Sequence, residues 1–237
     1  MSMANLSRRG FLGCACCAAA GLAISGTPRA LAAGGKHTDL TADQALALLK
    51  EGNKKYLADT AACGVQSRER RIEISKGQTP FAVLVSCSDS RVPPELLFGR
   101  GLGELFIVRN AGNTVDTTAL GSIQYAVAEL GVPLVLVMGH ERCGAVDAAL
   151  SVVKNNTSFP GSIGQMIEPI VPAVLKVQNQ PGDLLDNAVR ENVRRTVTRL
   201  RTASEPILID PLKAGRLRVV GARYSLDEGN VDFFDEG

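Results

Sequence analysis

Tryptophan is absent from this sequence, and the other aromatic residues are sparse. Only 4% of the 237 residues are aromatic, and only two residues are histidine. Platforms that stack single-stranded nucleic acid need aromatic rings, so the composition disfavours a role of that kind. The remaining composition is that of a globular protein, with 45% hydrophobic and 21% charged residues. This is enough apolar material for one sizeable core.

Acidic residues are missing from the beginning of the chain, where the first is Asp39. Residues 7–12 read Ser-Arg-Arg-Gly-Phe-Leu, a run of small apolar residues follows, and residues 30–32 read Ala-Leu-Ala. Twin arginines, an apolar run and a small-residue cleavage site are typical of a twin-arginine export signal. We therefore expect residues 1–32 to be a signal peptide and residues 33–237 to form a single domain.

A signal peptide of this kind would place the mature protein in the periplasm or otherwise outside the cytoplasm. The apolar run is too short and too rich in small residues for a spanning helix, so no stable membrane anchor is expected. An uncleaved amphipathic anchor and a disordered leader are the alternative readings.

The excess of basic over acidic residues in the whole chain comes from this leader. The whole chain has 26 Lys and Arg residues against 24 Asp and Glu residues, and three of the arginines lie within residues 1–32. Without them the chain has one more acidic than basic residue. The charge therefore gives no support for a nucleic-acid or membrane-surface partner.

Three of the six cysteines remain after the leader, namely Cys63, Cys87 and Cys143. An odd number of cysteines cannot all pair within one chain. A Cys87–Cys143 disulfide is one possibility, since an oxidising compartment would allow it. The other is that both bind a metal ion, which a protein exported in the folded state could acquire before export. Cys63 would then be a lone thiol.

Continuous apolar runs indicate the strands of a buried sheet. They occur at residues 81–86, 104–109 and 134–138, and helical segments separate them. This alternation predicts an α/β fold with a mainly parallel central β-sheet flanked by helices. Residues 217–224 and 231–234 are predicted to add a C-terminal antiparallel edge strand or hairpin.

Helical patterns fill the segments between these strands. The predicted helices cover residues 41–57, 67–76, 118–130, 143–150, 161–177, 183–200 and 204–214. Thr41 and Gln44 form a capping-box pattern at the start of the first. In the third, Ile123, Tyr125 and Val127 are expected to be buried.

Cys87, His140 and Cys143 carry the strongest chemical signal. Two thiols and one imidazole are a three-ligand zinc set that leaves a fourth position open, as catalytic zinc sites do. Cys87 and His140 both follow apolar strands, and the carboxyl ends of such strands meet at one edge of an α/β sheet. The alternative is a hydrogen-bonded turn histidine beside two buried cysteines that act as small hydrophobic residues.

Asp89 and Arg91 follow the first of these thiols. Asp89 could accept a hydrogen bond from metal-bound water, or occupy the open coordination position itself. Arg91 could hold the carboxylate through a bidentate contact and keep it ionised. The pair therefore predicts a switch between an active form, with Asp89 on Arg91, and a closed form, with Asp89 on the metal.

Two of these motifs carry a family resemblance. Cys-Ser-Asp-Ser-Arg-Val-Pro at residues 87–93, followed by Gly-His-x-x-Cys-Gly at residues 139–144, resembles the β-class carbonic anhydrases. The resemblance implies reversible hydration of CO₂ to bicarbonate and a proton by a zinc-bound hydroxide. It also implies a homodimer or higher homo-oligomer in which the substrate pocket is shared and the N-terminal helices embrace the partner.

The resemblance assigns roles to particular residues. It implies one Zn²⁺ per chain on Cys87, His140 and Cys143, and a catalytic dyad of Asp89 and Arg91.

Four further residues are predicted to bind substrate, namely Gln78, Phe106, Tyr125 and Gly144, with simple core packing as the alternative for Phe106 and Tyr125. The first three resemble the plant-like subtype of the family. The other subtype has a tryptophan at the position of Leu84, which also favours the plant-like subtype. Gly144 would offer a backbone amide near the metal.

Two rival functions use the same residues. The small pair Ala111-Gly112 after Arg109 and Asn110 suggests a more open pocket wall, which would suit a CS₂ or COS hydrolase with the same zinc site. A non-catalytic zinc-binding or bicarbonate-binding protein is the second rival, and the intact pair of Asp89 and Arg91 argues against it.

Overall fold

The computed structural model describes residues 37–58 and 64–236, and a five-stranded sheet lies at their centre. The strands are β1 Ala82–Ser86, β2 Leu105–Arg109, β3 Leu134–His140, β4 Arg218–Tyr224 and β5 Val231–Asp235. Their order in the sheet is β2-β1-β3-β4-β5. All neighbours are parallel except β4 and β5, which pair antiparallel. The predicted α/β fold with an antiparallel C-terminal edge is confirmed.

Helices cover both faces of the sheet. Those of the described residues are α1 Ala42–Ala58, α2 Arg68–Ile74, α3 Pro94–Leu97, α4 Thr117–Glu129, α5 Gly144–Asn155, α6 Ser162–Ile167, α7 Val171–Val177, α8 Leu184–Arg201 and α9 Pro206–Lys213. Helices α4, α8 and α9 contribute to the core on one face, and α1 and α3 contribute to the core on the other. Because apolar side chains leave both faces of β1 and β3, every residue of these two strands is buried.

The capping box at the start of α1 is confirmed. The Thr41 backbone N–H donates to Gln44 Oε1 at 2.8 Å, and the Gln44 N–H donates to Thr41 Oγ1 at 3.2 Å. These two bonds satisfy N–H groups that have no partner within the helix.

The burial predicted for Tyr125 is wrong in the described chain. Its side chain is 38% exposed, whereas Ile123, Ala126 and Val127 are buried. Residues three or four positions apart share one face of a helix, so Ala126 and Val127 are buried together with Ile123. Tyr125 is only two positions from Ile123 and therefore lies off the buried face.

The single helix predicted over residues 161–177 is broken into two α-helices. A short 3₁₀ segment, Glu168–Ile170, lies between α6 and α7. It contains Pro169, which has no N–H to continue an α-helical ladder. The four-residue helix α3 was not predicted, since it is too short to show a periodic apolar pattern.

No helix in the described ranges is long and apolar enough to cross a membrane. The predicted signal peptide at residues 1–32 and the thiol of Cys63 lie outside the described residues.

Candidate metal centre

Three potential metal ligands converge at the carboxyl edge of the sheet. Cys87 follows β1, His140 ends the neighbouring strand β3, and Cys143 is the N-cap residue of α5. All three are buried, and their ligand atoms lie within 4.8 Å of one another. The two strand ends thus bring together residues that are more than fifty positions apart in the sequence.

The two sulfur atoms are at a separation that suits a shared metal ion. Cys87 Sγ and Cys143 Sγ are 3.9 Å apart, and both thiols are free. Two thiolates bound at about 2.3 Å to a tetrahedral zinc ion would lie about 3.8 Å apart. A disulfide would need about 2.05 Å, so the alternative pairing of these cysteines is not formed in the structure.

The close approach of the two thiols makes their ionisation unequal. The hydrogen bond with Cys143 lowers the pKa of Cys87 to about 4, and the Gly112 backbone N–H, 3.3 Å from Cys87 Sγ, acts in the same direction. The same contact with Cys87, together with burial, raises the pKa of Cys143. Ionisation of one thiol of the pair therefore disfavours ionisation of the other.

The imidazole of His140 is oriented by its own loop. Its Nδ1 lies 2.9 Å from the Glu141 carbonyl oxygen, which can only accept a hydrogen bond, so Nδ1 carries the proton. Nε2 is consequently left with a lone pair. This atom is fully buried and has no hydrogen-bond partner among the described residues. A buried nitrogen of this kind fits a metal ligand, and its Nδ1–H contact is the usual support of such a ligand.

Asp89 lies beside this set and is held by Arg91. Arg91 Nε donates to Asp89 Oδ1 at 2.9 Å and Arg91 Nη2 donates to Asp89 Oδ2 at 2.7 Å. These hydrogen bonds keep the pKa of Asp89 well below its usual range. Asp89 Oδ2 is also 3.8 Å from His140 Nε2. The carboxylate is therefore ionised, close to the ligand atoms and engaged by Arg91, the arrangement predicted for the active form of the switch.

Arg109 supports the loop that carries Cys87 and Asp89. Its guanidinium donates to the Cys87 carbonyl oxygen at 2.9 Å and to the Asp89 carbonyl oxygen at 2.7 Å. Sequence reasoning did not assign this role to Arg109. The available signal was its position at the carboxyl end of β2, where it pairs with Ser86 directly before the first ligand.

The loop from His140 to Cys143 is held from the opposite side of the site. Arg142 has a φ of 50°, which is uncommon for a residue with a side chain. Its guanidinium forms a bidentate ion pair with Asp227 at 2.9 and 2.7 Å. Glu141 Oε2 accepts hydrogen bonds from Ser225 Oγ and the Leu226 N–H. The turn between β4 and β5 therefore fixes the loop that contains two of the three ligands.

Gly112 packs closely behind Cys87, so the open wall predicted at this residue is wrong. Its φ is 71°, and a Cβ here would lie 2.6 Å from Ile170 Cδ1. The space that a side chain would need is already taken by Ile170. The absence of a side chain permits the backbone to approach the sulfur atom, and it does not enlarge the site.

Gly144 lies at the exposed side of the centre, at the first position of α5. A Cβ at this residue would have no neighbour within 4 Å. The next two backbone amides, those of Ala145 and Val146, point toward Cys143 and favour its thiolate form. Gly144 follows Cys143 directly in the chain, and its role in the substrate pocket stays a prediction.

Gln78, Phe106 and Tyr125 are not brought to this edge by the same chain. Gln78 is exposed and precedes β1, and Phe106 pairs with Val83 in the amino-terminal half of that strand. The Phe106 and Tyr125 ring centroids are 6.2 Å apart. At about 3.3 Å per strand residue, Val83 and Cys87 are separated by roughly 13 Å. Gln78, Phe106 and Tyr125 thus lie away from the metal ligands of their own chain.

The fold and the centre together define a class of protein. A buried Cys₂His set beside an ionised carboxylate, at the carboxyl edge of a parallel sheet, is the arrangement of a metal-dependent α/β enzyme.

Comparison with known proteins gives the family. The carbonic anhydrase family matches residues 82–231. Carbonic anhydrase 2 of Mycobacterium tuberculosis is 40% identical over 183 residues, which cover 77% of this chain and 88% of that protein. This chain belongs to the β-class carbonic anhydrase family, and the reaction expected of it is the hydration of CO₂.

Solved structures agree with this assignment. The β-carbonic anhydrase CcaA has a TM-score of 0.63 and 27% identity, covering 81% of this chain and 92% of its own. The Coccomyxa β-carbonic anhydrase in complex with acetazolamide has a TM-score of 0.61 and 28% identity, covering 80% of this chain and 86% of its own.

Proposed function

We propose that this chain is a zinc enzyme in which Cys87, His140 and Cys143 hold one Zn²⁺ per chain. The observation that carries the proposal is the convergence of two sulfur atoms 3.9 Å apart with a buried imidazole nitrogen that has no hydrogen-bond partner within residues 37–58 and 64–236. Bound zinc would supply Lewis acidity, which lowers the pKa of a bound water toward neutrality. The remaining steps can be assigned to residues of the chain itself.

Asp89 acts as a hydrogen-bond acceptor for the attacking water. An ionised carboxylate can only accept hydrogen bonds, so it orients the water with a lone pair directed toward CO₂. Arg91 keeps the carboxylate ionised and engages both of its oxygens. If this ion pair opened, Asp89 could become the fourth ligand and close the site, since Oδ2 is already 3.8 Å from His140 Nε2.

Protons leave the centre through water and buffer. The chain has one other histidine, His37, and its ring packs against Gly131 in the turn before β3. His140 is at the opposite end of that seven-residue strand. His37 is therefore too distant to serve as a proton shuttle for the same chain.

We further propose that the substrate pocket is completed by a second copy of the chain, in a homodimer or a higher homo-oligomer. Gln78, Phe106 and Tyr125 match the plant-like subtype of the family but lie away from the metal ligands of their own chain. The 38% exposure of Tyr125 and the position of β2 at the edge of the sheet leave this group accessible to a partner. Leu84 at the position of the other subtype's tryptophan also supports the plant-like subtype.

Substrate choice is tested by measuring CO₂ hydration by stopped flow beside sulfide release from CS₂ and COS. We expect rapid CO₂ hydration by the protein containing one zinc per chain. Sulfide release without CO₂ hydration would favour the hydrolase, and zinc binding without either activity would favour a non-catalytic binding protein.

We also propose that residues 1–32 direct the protein through the twin-arginine export route. The support is the sequence pattern of paired arginines, apolar run and cleavage site. N-terminal sequencing of protein from a periplasmic extract should begin near Ala33. Replacement of both Arg8 and Arg9 by Lys should retain the full-length protein in the cytoplasm. Full-length wild-type protein in the cytoplasm would contradict export.

A further inference from the structure

Asn192 contacts Gly112, a neighbour of the metal centre, from a distant part of the sequence. It lies within α8, its side chain is only 4% exposed, and its Nδ2 donates to the Gly112 carbonyl oxygen at 2.8 Å. The two residues are 80 positions apart. A buried carbonyl oxygen must be paired, and Asn192 provides that partner where no strand or helix does.

Gly112 transmits this contact to a metal ligand. Its own N–H donates to Cys87 Sγ at 3.3 Å. Its backbone has φ 71° and ψ 21°, a left-handed conformation within a short 3₁₀ segment. Regular secondary structure does not hold a residue in this conformation, so the direction of its N–H depends on tertiary contacts. The hydrogen bond from Asn192 and the packing of Ile170 are two such contacts.

We propose that Asn192 is a positioning residue of the metal centre, which acts through Gly112 to aim a backbone N–H at the sulfur atom of Cys87. The inference rests on the proposed zinc site. An N–H that points at a sulfur atom stabilises its negative charge, and contacts of this kind around metal ligands typically change metal affinity by about 10- to 100-fold.

A purely structural role for Asn192 would give a different result. Loss of a buried hydrogen bond would then destabilise the metal-free and the metal-bound protein equally. A positioning role would reduce the additional stability that metal binding gives, because ligands that bind the folded state stabilise it according to their affinity.

The experiment compares wild type with Asn192→Leu, which keeps the branched shape and removes the donor. Zn²⁺ affinity is measured by chelator competition, and Co²⁺ is used as a probe of the thiolate-to-metal absorption band. Thr196→Val is the matched control, since Thr196 is buried one turn further along α8 and its hydroxyl donates to the Asn192 carbonyl oxygen rather than to Gly112. We expect Asn192→Leu to bind Zn²⁺ about 10- to 100-fold more weakly, with a shifted Co²⁺ band. The control should match wild type in both measurements.

Wild-type affinity and an unchanged Co²⁺ band in Asn192→Leu would overturn the inference. Asn192→Ser, which is too short to reach Gly112, provides a second variant if the leucine is not accommodated. Failure of both variants to fold would make Asn192 a structural residue and would also overturn the inference. Failure of the wild-type protein to bind zinc would instead refute the proposed function, so the two failures are distinguishable.

Discussion

The two ends of the central sheet differ in how many of the predicted site residues a single chain brings together there. At the carboxyl end, Cys87, His140 and Cys143 are buried and their ligand atoms lie within 4.8 Å of one another. On the amino-terminal side, Gln78 and Tyr125 are exposed and lie apart from any metal ligand. The candidate ligands of the proposed metal site therefore all come from a single chain. On our account, the substrate pocket is a property of the assembly.

The largest effect is expected from removing a ligand at the carboxyl end. Cys143→Ser keeps the size of the side chain but replaces a thiolate by a hydroxyl, which is a poor zinc ligand. We expect loss of stoichiometric zinc and a fall in kcat/KM of more than about 10³-fold, since even changes outside the ligand set cost 10- to 100-fold. Metal analysis and stopped-flow hydration measure both, and circular dichroism checks the fold. Retained zinc with full activity would exclude Cys143 from the centre.

A smaller loss of activity is expected when the metal ligands are kept and the neighbouring carboxylate of Asp89 is replaced. Asp89→Asn should leave zinc stoichiometry unchanged and lower kcat by about 10²- to 10⁴-fold, the usual contribution of a positioned acid or base. Asp210→Asn removes an exposed carboxylate on α9 and is the matched control. Unchanged turnover in Asp89→Asn would remove this carboxylate from the mechanism.

A variant at the amino-terminal end of the sheet should lose activity moderately, and a partner chain with the intact residue should restore part of that activity. Gln78→Ala should lower kcat/KM by about tenfold, the value of one hydrogen bond to the substrate. If the pocket is shared, Gln78→Ala chains coexpressed with Cys143→Ser chains should recover about a quarter of wild-type activity per chain, because half of the dimers are mixed and each has one intact site.

The control for this complementation combines two variants from the same end. Cys143→Ser coexpressed with Asp89→Asn places both defects at the metal edge, so no mixed dimer contains an intact site. Recovery in this control, or none with Gln78→Ala, would contradict a pocket formed between two copies.

The smallest effect is expected at the ion pair that supports the second ligand loop. Asp227→Asn removes the bidentate contact with Arg142 and should lower zinc affinity by less than about tenfold, since exposed ion pairs contribute little. Glu228→Gln, a neighbouring change without that contact, should have no effect. Chelator competition measures both variants, and a loss as large as that of Cys143→Ser would mean that Arg142 and Asp227 dominate the position of the loop.

The sheet and the ligand set could be predicted because their signals are local. Uninterrupted apolar runs mark buried parallel strands, and the carboxyl ends of such strands meet at one edge, where Cys87 and His140 follow. The burial predicted for Tyr125 is wrong because residues two positions apart share a face in a strand but not in a helix.

The supporting contacts could not be predicted because their partners are remote in the sequence. Arg109 bonds to a residue 22 positions earlier, Asn192 to one 80 positions earlier, and Arg142 to one 85 positions later. No local periodicity specifies these pairs. They depend on how α8 and the turn between β4 and β5 pack against the metal edge.

We propose above that Cys87, His140 and Cys143 hold a zinc ion on which CO₂ hydration depends. The most direct test measures metal content and stopped-flow CO₂ hydration of the same wild-type sample before zinc removal, after removal and after zinc is added back. We predict one zinc per chain, loss of hydration with the metal and recovery when zinc returns. Full hydration activity in the metal-free protein, or a zinc-loaded protein that does not hydrate CO₂, would contradict the account.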